Sequence, residues 1–101
     1  MNRTLDSVRA FAKARSWHRY HHPRSLILAI CSEAGELAHL FRWRRDGPAP
    51  VPRPLRSAAA DEIADVLILL LLLCDRLKID PTEAVHQKLA MNATKYPVHP
   101  K

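Results

Sequence analysis

Residues 27–41, ILAICSEAGELAHLF, and residues 61–74, DEIADVLILLLLLC, decide the architecture of this chain. Each stretch carries two carboxylates three residues apart, Glu33 with Glu36 and Glu62 with Asp65. Residues three apart are neighbours on a helix surface, so each pair shares one face if both stretches are helical. Counting about 100° per residue from Leu26, Ile30 falls at about 40°, Leu37 at about 20°, Phe41 at about 60° and Glu33 at about 340°. Glu33 therefore lies inside the apolar stripe, with Glu36 on its shoulder. The second pair runs directly into Val66–Cys74, nine residues without a polar side chain.

A carboxylate turned toward a core must shift its pKa, meet a cation or bind a metal. Four converging carboxylates favour a metal, and hard oxygen ligands suit Mg²⁺ or Mn²⁺ better than Zn²⁺, which prefers Cys and His. The plainer alternative is a set of half-exposed helix charges paired with arginines.

The chain has 101 residues, enough for one domain spanning 1–101 with a modest core. Its formal charge is +6. With the four clustered carboxylates set aside, 16 basic side chains face 6 acidic ones, an excess of ten around an acidic site. Such a field attracts a polyanion, whether nucleotide or nucleic acid. Cys31 and Cys74 form no CxxC pair and fall in apolar helical patterns, so buried thiols in a reducing compartment are expected rather than a disulfide. Met1–Arg15 lacks a continuous apolar run of the kind a signal peptide needs, and nine apolar residues are far short of the roughly 20 of a membrane span. A cytoplasmic protein with no membrane partner is the expectation.

In chain order, Thr4 is a candidate cap for a first helix carrying Leu5, Val8, Phe11 and Ala12 at helical spacing to about Ser16. Trp17–His22, WHRYHH, is a ring-rich break that is either a packing plug or a stacking platform. A second helix is expected from Pro23 to Arg45, with Gly35 between its two glutamates, and Asp46–Pro54 is too rich in proline to be helical. A third helix runs from about Ser57 to Leu77. Its all-round apolar segment must be covered on every side, which predicts a homodimer or homotetramer with this helix at the centre. Asp80, Pro81 and Glu83 mark the start of a fourth helix as cap, first-turn proline and capping-box glutamate. It carries Ala84, Val85 and Leu89 inward and ends near Tyr96, before Pro97. Lys88, Asn92 and Lys95 line one of its faces with donors for phosphate oxygens, or simply form a solvated face. The fold class is all-α, a four-helix bundle-like protomer assembled as a homo-oligomer.

The combination resembles the MazG-like, all-α nucleotide pyrophosphohydrolases, and among them the small dCTP pyrophosphatase type. The resemblance rests on Trp17, Tyr20, His21 and Pro23-Arg24, on Ser32–Ala38 with Leu40–Trp43, on Asp61–Ile68, and on Lys88, Asn92, Lys95 and Tyr96-Pro97-Val98. It implies hydrolysis of a nucleoside triphosphate to the monophosphate and pyrophosphate, with Mg²⁺ held by Glu33, Glu36, Glu62 and Asp65 and Glu33 orienting the attacking water. It also implies Trp17, Tyr20, His21 and Trp43 around the base, and Lys88, Asn92, Lys95 and Tyr96 on the phosphate side. A dCTP-like or modified pyrimidine nucleotide is the implied substrate.

Three positions depart from the dCTP-type pattern. His39 stands where a glutamate follows ELA, Leu69 where a tyrosine follows the second pair, and Ser25 where an asparagine is usual. Loss of the tyrosine removes a contact to sugar or base and points to altered discrimination. Two other readings compete. Glu36-x-x-His39 and Glu83-x-x-His86 match the Glu-x-x-His spacing of di-iron helical bundles, and the basic charge with its loop aromatics fits a non-enzymatic nucleic-acid binder. His18, His22 and His99 are expected to be surface residues.

Overall fold

The computed structural model describes residues 2–99, the side chain of His18 excepted. The chain forms four α-helices, α1 (Asn2–Ala14), α2 (Pro23–Leu40), α3 (Arg53–Leu77) and α4 (Pro81–Lys95), with a 3₁₀ turn (Trp17–Arg19) after α1 and a long connection over residues 41–52 between α2 and α3. No strand occurs among the described residues.

α2 packs along α3, and α1 crosses α3 on its other flank. The core at this junction is Ala12, Leu26 and Leu72, with Val8, Leu69 and Leu73 packed against it. The stripe expected on α2 is present: Leu26 is buried, and Ile30, Glu33, Leu37 and Phe41 are half-buried along the helix.

Local chemistry moves several element ends from their expected positions. α1 begins at Asn2, so Thr4 lies within its first turn and caps nothing; the helix closes at Ala14, with Ser16 in the left-handed region at φ 53°. α2 stops at Leu40 rather than Arg45. Arg42 Nη1 donates to the His39 carbonyl at 2.6 Å, and Arg44 Nη2 donates to the carbonyls of Ala49 and Pro50 at 2.6 and 3.0 Å. Those arginines tie the chain into a turn instead of another helical one. α3 begins four residues before Ser57, because Pro54 falls in the first turn, where a missing N–H costs nothing. Asp80 caps α4 as expected, its Oδ1 accepting the Glu83 N–H at 3.1 Å. The Glu83 carboxylate instead accepts from Gln87 Nε2 at 3.1 Å.

α4 does not complete a bundle within the protomer. Pro81 is buried and the Thr82 hydroxyl donates to Asn2 Oδ1 at 3.0 Å, but beyond that first turn Ala84, Val85 and Leu89 are exposed, not inward. The periodicity is present, but no other element of the fold covers this face among the described residues. Leu67, Ile68 and Leu70 of the apolar run on α3 are likewise exposed, while Leu71 and Leu72 are buried. The radius of gyration is 16.8 Å, against about 13 Å for a compact domain of this length.

Both cysteines are free thiols. Cys74 is half-buried, and burial followed by the nearby Asp80 charge pushes its pKa up. Cys31 is exposed on α2, contrary to the expected burial.

Candidate metal centre and adjoining cavity

The α2–α3 contact places Glu33 opposite Glu62 and Asp65. One carboxylate oxygen from each of these three residues lies within 4.8 Å of the others. Glu62 Oε2 is buried with no hydrogen-bond partner. A proton on Glu62 is favoured first by sharing with the Glu33 carboxylate, then by burial and by the charges of Glu33, Asp65 and Glu36, so its pKa is raised. Like charges held this close with one oxygen orphaned need a proton or a cation among them.

A hard divalent cation would meet that demand, held by one oxygen each from Glu33, Glu62 and Asp65. The set contains no imidazole or thiolate, which separates it from zinc chemistry. Glu36 stands one turn along α2, exposed, and contributes charge rather than an oxygen to this group.

Beside the carboxylates opens a cavity of about 480 Å³. Glu33 and Asp65 stand in its wall, and Trp17, His21 and Phe11 supply rings. Phe11 meets Trp17 edge to face at 5.3 Å between centroids, and Trp17 meets His21 at 5.7 Å. The remaining wall is apolar, including Leu69 and Leu72 of α3. The ring-rich break thus lends Trp17 and His21 to a cavity wall, and His21 Nδ1 is buried without a partner. Burial, then the Arg76 charge, lowers the His21 pKa.

Not every candidate residue gathers here. Tyr20 and Trp43 are exposed, Trp43 to 84%, with Arg42 lying 5.4 Å from the Trp43 ring centre. Lys88, Asn92 and Lys95 sit on α4 with Tyr96 at its C-terminal cap, and none of them lines the cavity. Conversely, α1 contributes Ser7, Val8, Phe11 and Ala12 to the wall. Their helical spacing had pointed only to core, and spacing alone cannot tell a packed face from a cavity face.

The di-iron arrangement is not assembled within the protomer. No histidine joins the three-carboxylate group, and Glu83 and His86 lie exposed on α4.

The fold and site define an all-helical protein with an acidic centre against an aromatic-walled cavity. The chain belongs to the MazG-like family, which it matches over residues 28–101. It is 43% identical to dCTP pyrophosphatase 1 of Mus musculus over 103 residues and 43% identical to dCTP pyrophosphatase 1 of Homo sapiens over 104, covering 95% of this chain in each case. It spans 61% of the length of those relatives. Among solved structures, a pyrophosphatase from Archaeoglobus fulgidus superposes with a TM-score of 0.82 at 39% identity, over 97% of this chain and 93% of the other.

Proposed function

We propose that the protein is a Mg²⁺-dependent nucleoside triphosphate pyrophosphohydrolase, with Mn²⁺ as a possible substitute, that releases the monophosphate and pyrophosphate. The observation that carries this is the group of Glu33, Glu62 and Asp65, with a buried unpartnered Glu62 oxygen, beside a cavity walled by Trp17 and His21. Family membership and the named pyrophosphatase relatives support the bond assigned. Glu33, Glu62 and Asp65 would hold the metal, with the Glu36 carboxylate adding its charge from one turn along α2. When bound, Mg²⁺ neutralises the triphosphate and makes a bound water more acidic. Glu33, which stands in the cavity wall as well as in the carboxylate group, orients the attacking water and accepts its proton.

Trp17 and His21 hold the base, with Tyr20 and Trp43 closing over it from their exposed positions. The base is a dCTP-like or modified pyrimidine by the resemblance, and Leu69, which lines the cavity where the resemblance expects a tyrosine, loosens discrimination among such bases. Lys88, Asn92, Lys95 and Tyr96 take the phosphate side. Since α4 stands away from its own carboxylates, these donors reach a site only across a homodimer or homotetramer, where the exposed residues Leu67, Ile68 and Leu70 are covered. A 49 × 37 × 24 Å protomer with so little of its apolar surface buried supports that assembly. The partner is a nucleotide in the cytoplasm rather than nucleic acid or a membrane; no helix among the described residues is long and apolar enough to cross one.

A panel of canonical and modified nucleoside triphosphates, assayed with and without Mg²⁺, tests this reading. Pyrophosphate and the monophosphate should appear in equal amounts and only with metal. Orthophosphate as the sole product would mean a different bond is cut.

A further inference from the structure

A second cavity, of about 260 Å³, opens where α1 crosses α3. Ala12, Leu72 and His21 form its floor, and Arg9, Lys13, Asp75 and Arg76 its rim. None of Glu33, Glu62 and Asp65 lines it. Asp75 is already occupied: Arg9 Nε donates to its Oδ1 at 2.7 Å, and Arg9 also reaches Asp6 at 3.4 Å. Lys13 and Arg76 have no ion pair among the described residues. Two cations outside any ion pair, from different helices, thus line one cavity with an imidazole whose buried Nδ1 lacks a partner. The Arg76 charge is felt at His21, which places the two groups in electrostatic reach.

A lone carboxylate has too little charge and too few acceptors for this surround. A tetrahedral dianion supplies both, with separate oxygens for an ammonium, a guanidinium and a ring N–H. We infer that the cavity is an accessory site for a free phosphate-class anion, bridged by Lys13 and Arg76 and bonded to His21. His21, Ala12 and Leu72 line both cavities, so the anion acts on the ring that faces the aromatic one. A neutral imidazole donates from one nitrogen only. Donation from Nδ1 to phosphate leaves Nε2 as an acceptor and settles the tautomer that His21 presents.

Phosphate binding here requires neither metal nor nucleotide, so it is tested apart from the proposed hydrolysis. In chelator-treated protein, the His21 ring resonances are followed by NMR during titration with orthophosphate, and in a parallel arm with a nucleoside monophosphate. Orthophosphate alone should give a saturable shift of the His21 signals. The shift should persist in Glu33→Gln/Glu62→Gln and need about tenfold more phosphate in Lys13→Ala or in Arg76→Ala, each of which removes one charged hydrogen-bond partner from an exposed position. No saturable shift, a response to the nucleotide only, or undiminished binding in Lys13→Ala/Arg76→Ala would overturn the assignment.

Discussion

α3 and α4 each carry candidate site residues, yet the fold treats the two helices differently. α3 packs against both α1 and α2; its contact with α2 sets Glu62 and Asp65 against Glu33, and α1 and α3 together wall a cavity beside them. α4 is capped and anchored at Asp80–Thr82, then leaves the body of the protomer with Lys88, Asn92 and Lys95 pointing at no site of its own. In the proposed function the acidic half of the chemistry is intramolecular and the basic half comes from a second copy.

Breaking the α2–α3 half should have the largest effect. Glu62→Gln or Glu33→Gln is expected to lower kcat/KM for triphosphate hydrolysis by about 10²–10³-fold, the size seen when one group stabilising a developing charge is removed. Steady-state kinetics at saturating Mg²⁺ checks this, and near-normal rates would detach these carboxylates from catalysis.

The α4 half is sharpened by mixing subunits. Lys88→Ala/Lys95→Ala should lose about 10–100-fold, since each lysine supplies a charge-assisted bond. Combining that variant with Glu62→Gln should regenerate activity, because one mixed site draws intact carboxylates from one copy and intact lysines from the other. No regenerated activity after subunit exchange, verified by mass, would place the lysines outside the partner's site. Leu70→Arg should dissociate the assembly in sedimentation experiments and leave the protomer helical.

A smaller effect is expected from pH. Because the folded pKa of Glu62 is raised, the metal-free fold favours its protonated form; the associated stability is present below the unfolded pKa and is lost as pH rises through the higher folded value. Thermal unfolding in chelator should therefore show the wild type losing stability relative to Glu62→Gln as pH rises through the carboxylate range. Added Mg²⁺ should reverse that loss. The smallest effect concerns the α4 anchor: Asp80→Ala removes the Glu83 N–H acceptor and should cost about 1 kcal/mol in denaturant unfolding.

The acidic core was legible in the chain because carboxylates inside an apolar stripe conflict with burial, and a conflict of that kind is visible without coordinates. Glu33 and Glu62 show it and are half-buried, whereas Asp65 and Glu36, expected to turn inward with them, are exposed. The cap at Asp80 was legible for a similar local reason. The end of α2 was not, since Arg42 and Arg44 stop it through contacts to carbonyls that no helix propensity encodes. Val85 and Leu89 carry the right period for an apolar face, but periodicity is silent about whether the covering surface belongs to the same chain. The role of Phe11 was hidden likewise: its spacing marks an inward face, and only packing tells that part of this face borders empty space.

The central claim is that two neighbouring helices hold a divalent cation between their carboxylates. Crystals grown with Mn²⁺ and a non-hydrolysable triphosphate analogue, measured at the manganese absorption edge, test it most directly. An anomalous peak bonded by Glu33, Glu62 and Asp65 beside the analogue's phosphates is the predicted result; manganese bound elsewhere, with those three carboxylates unliganded, would contradict the account.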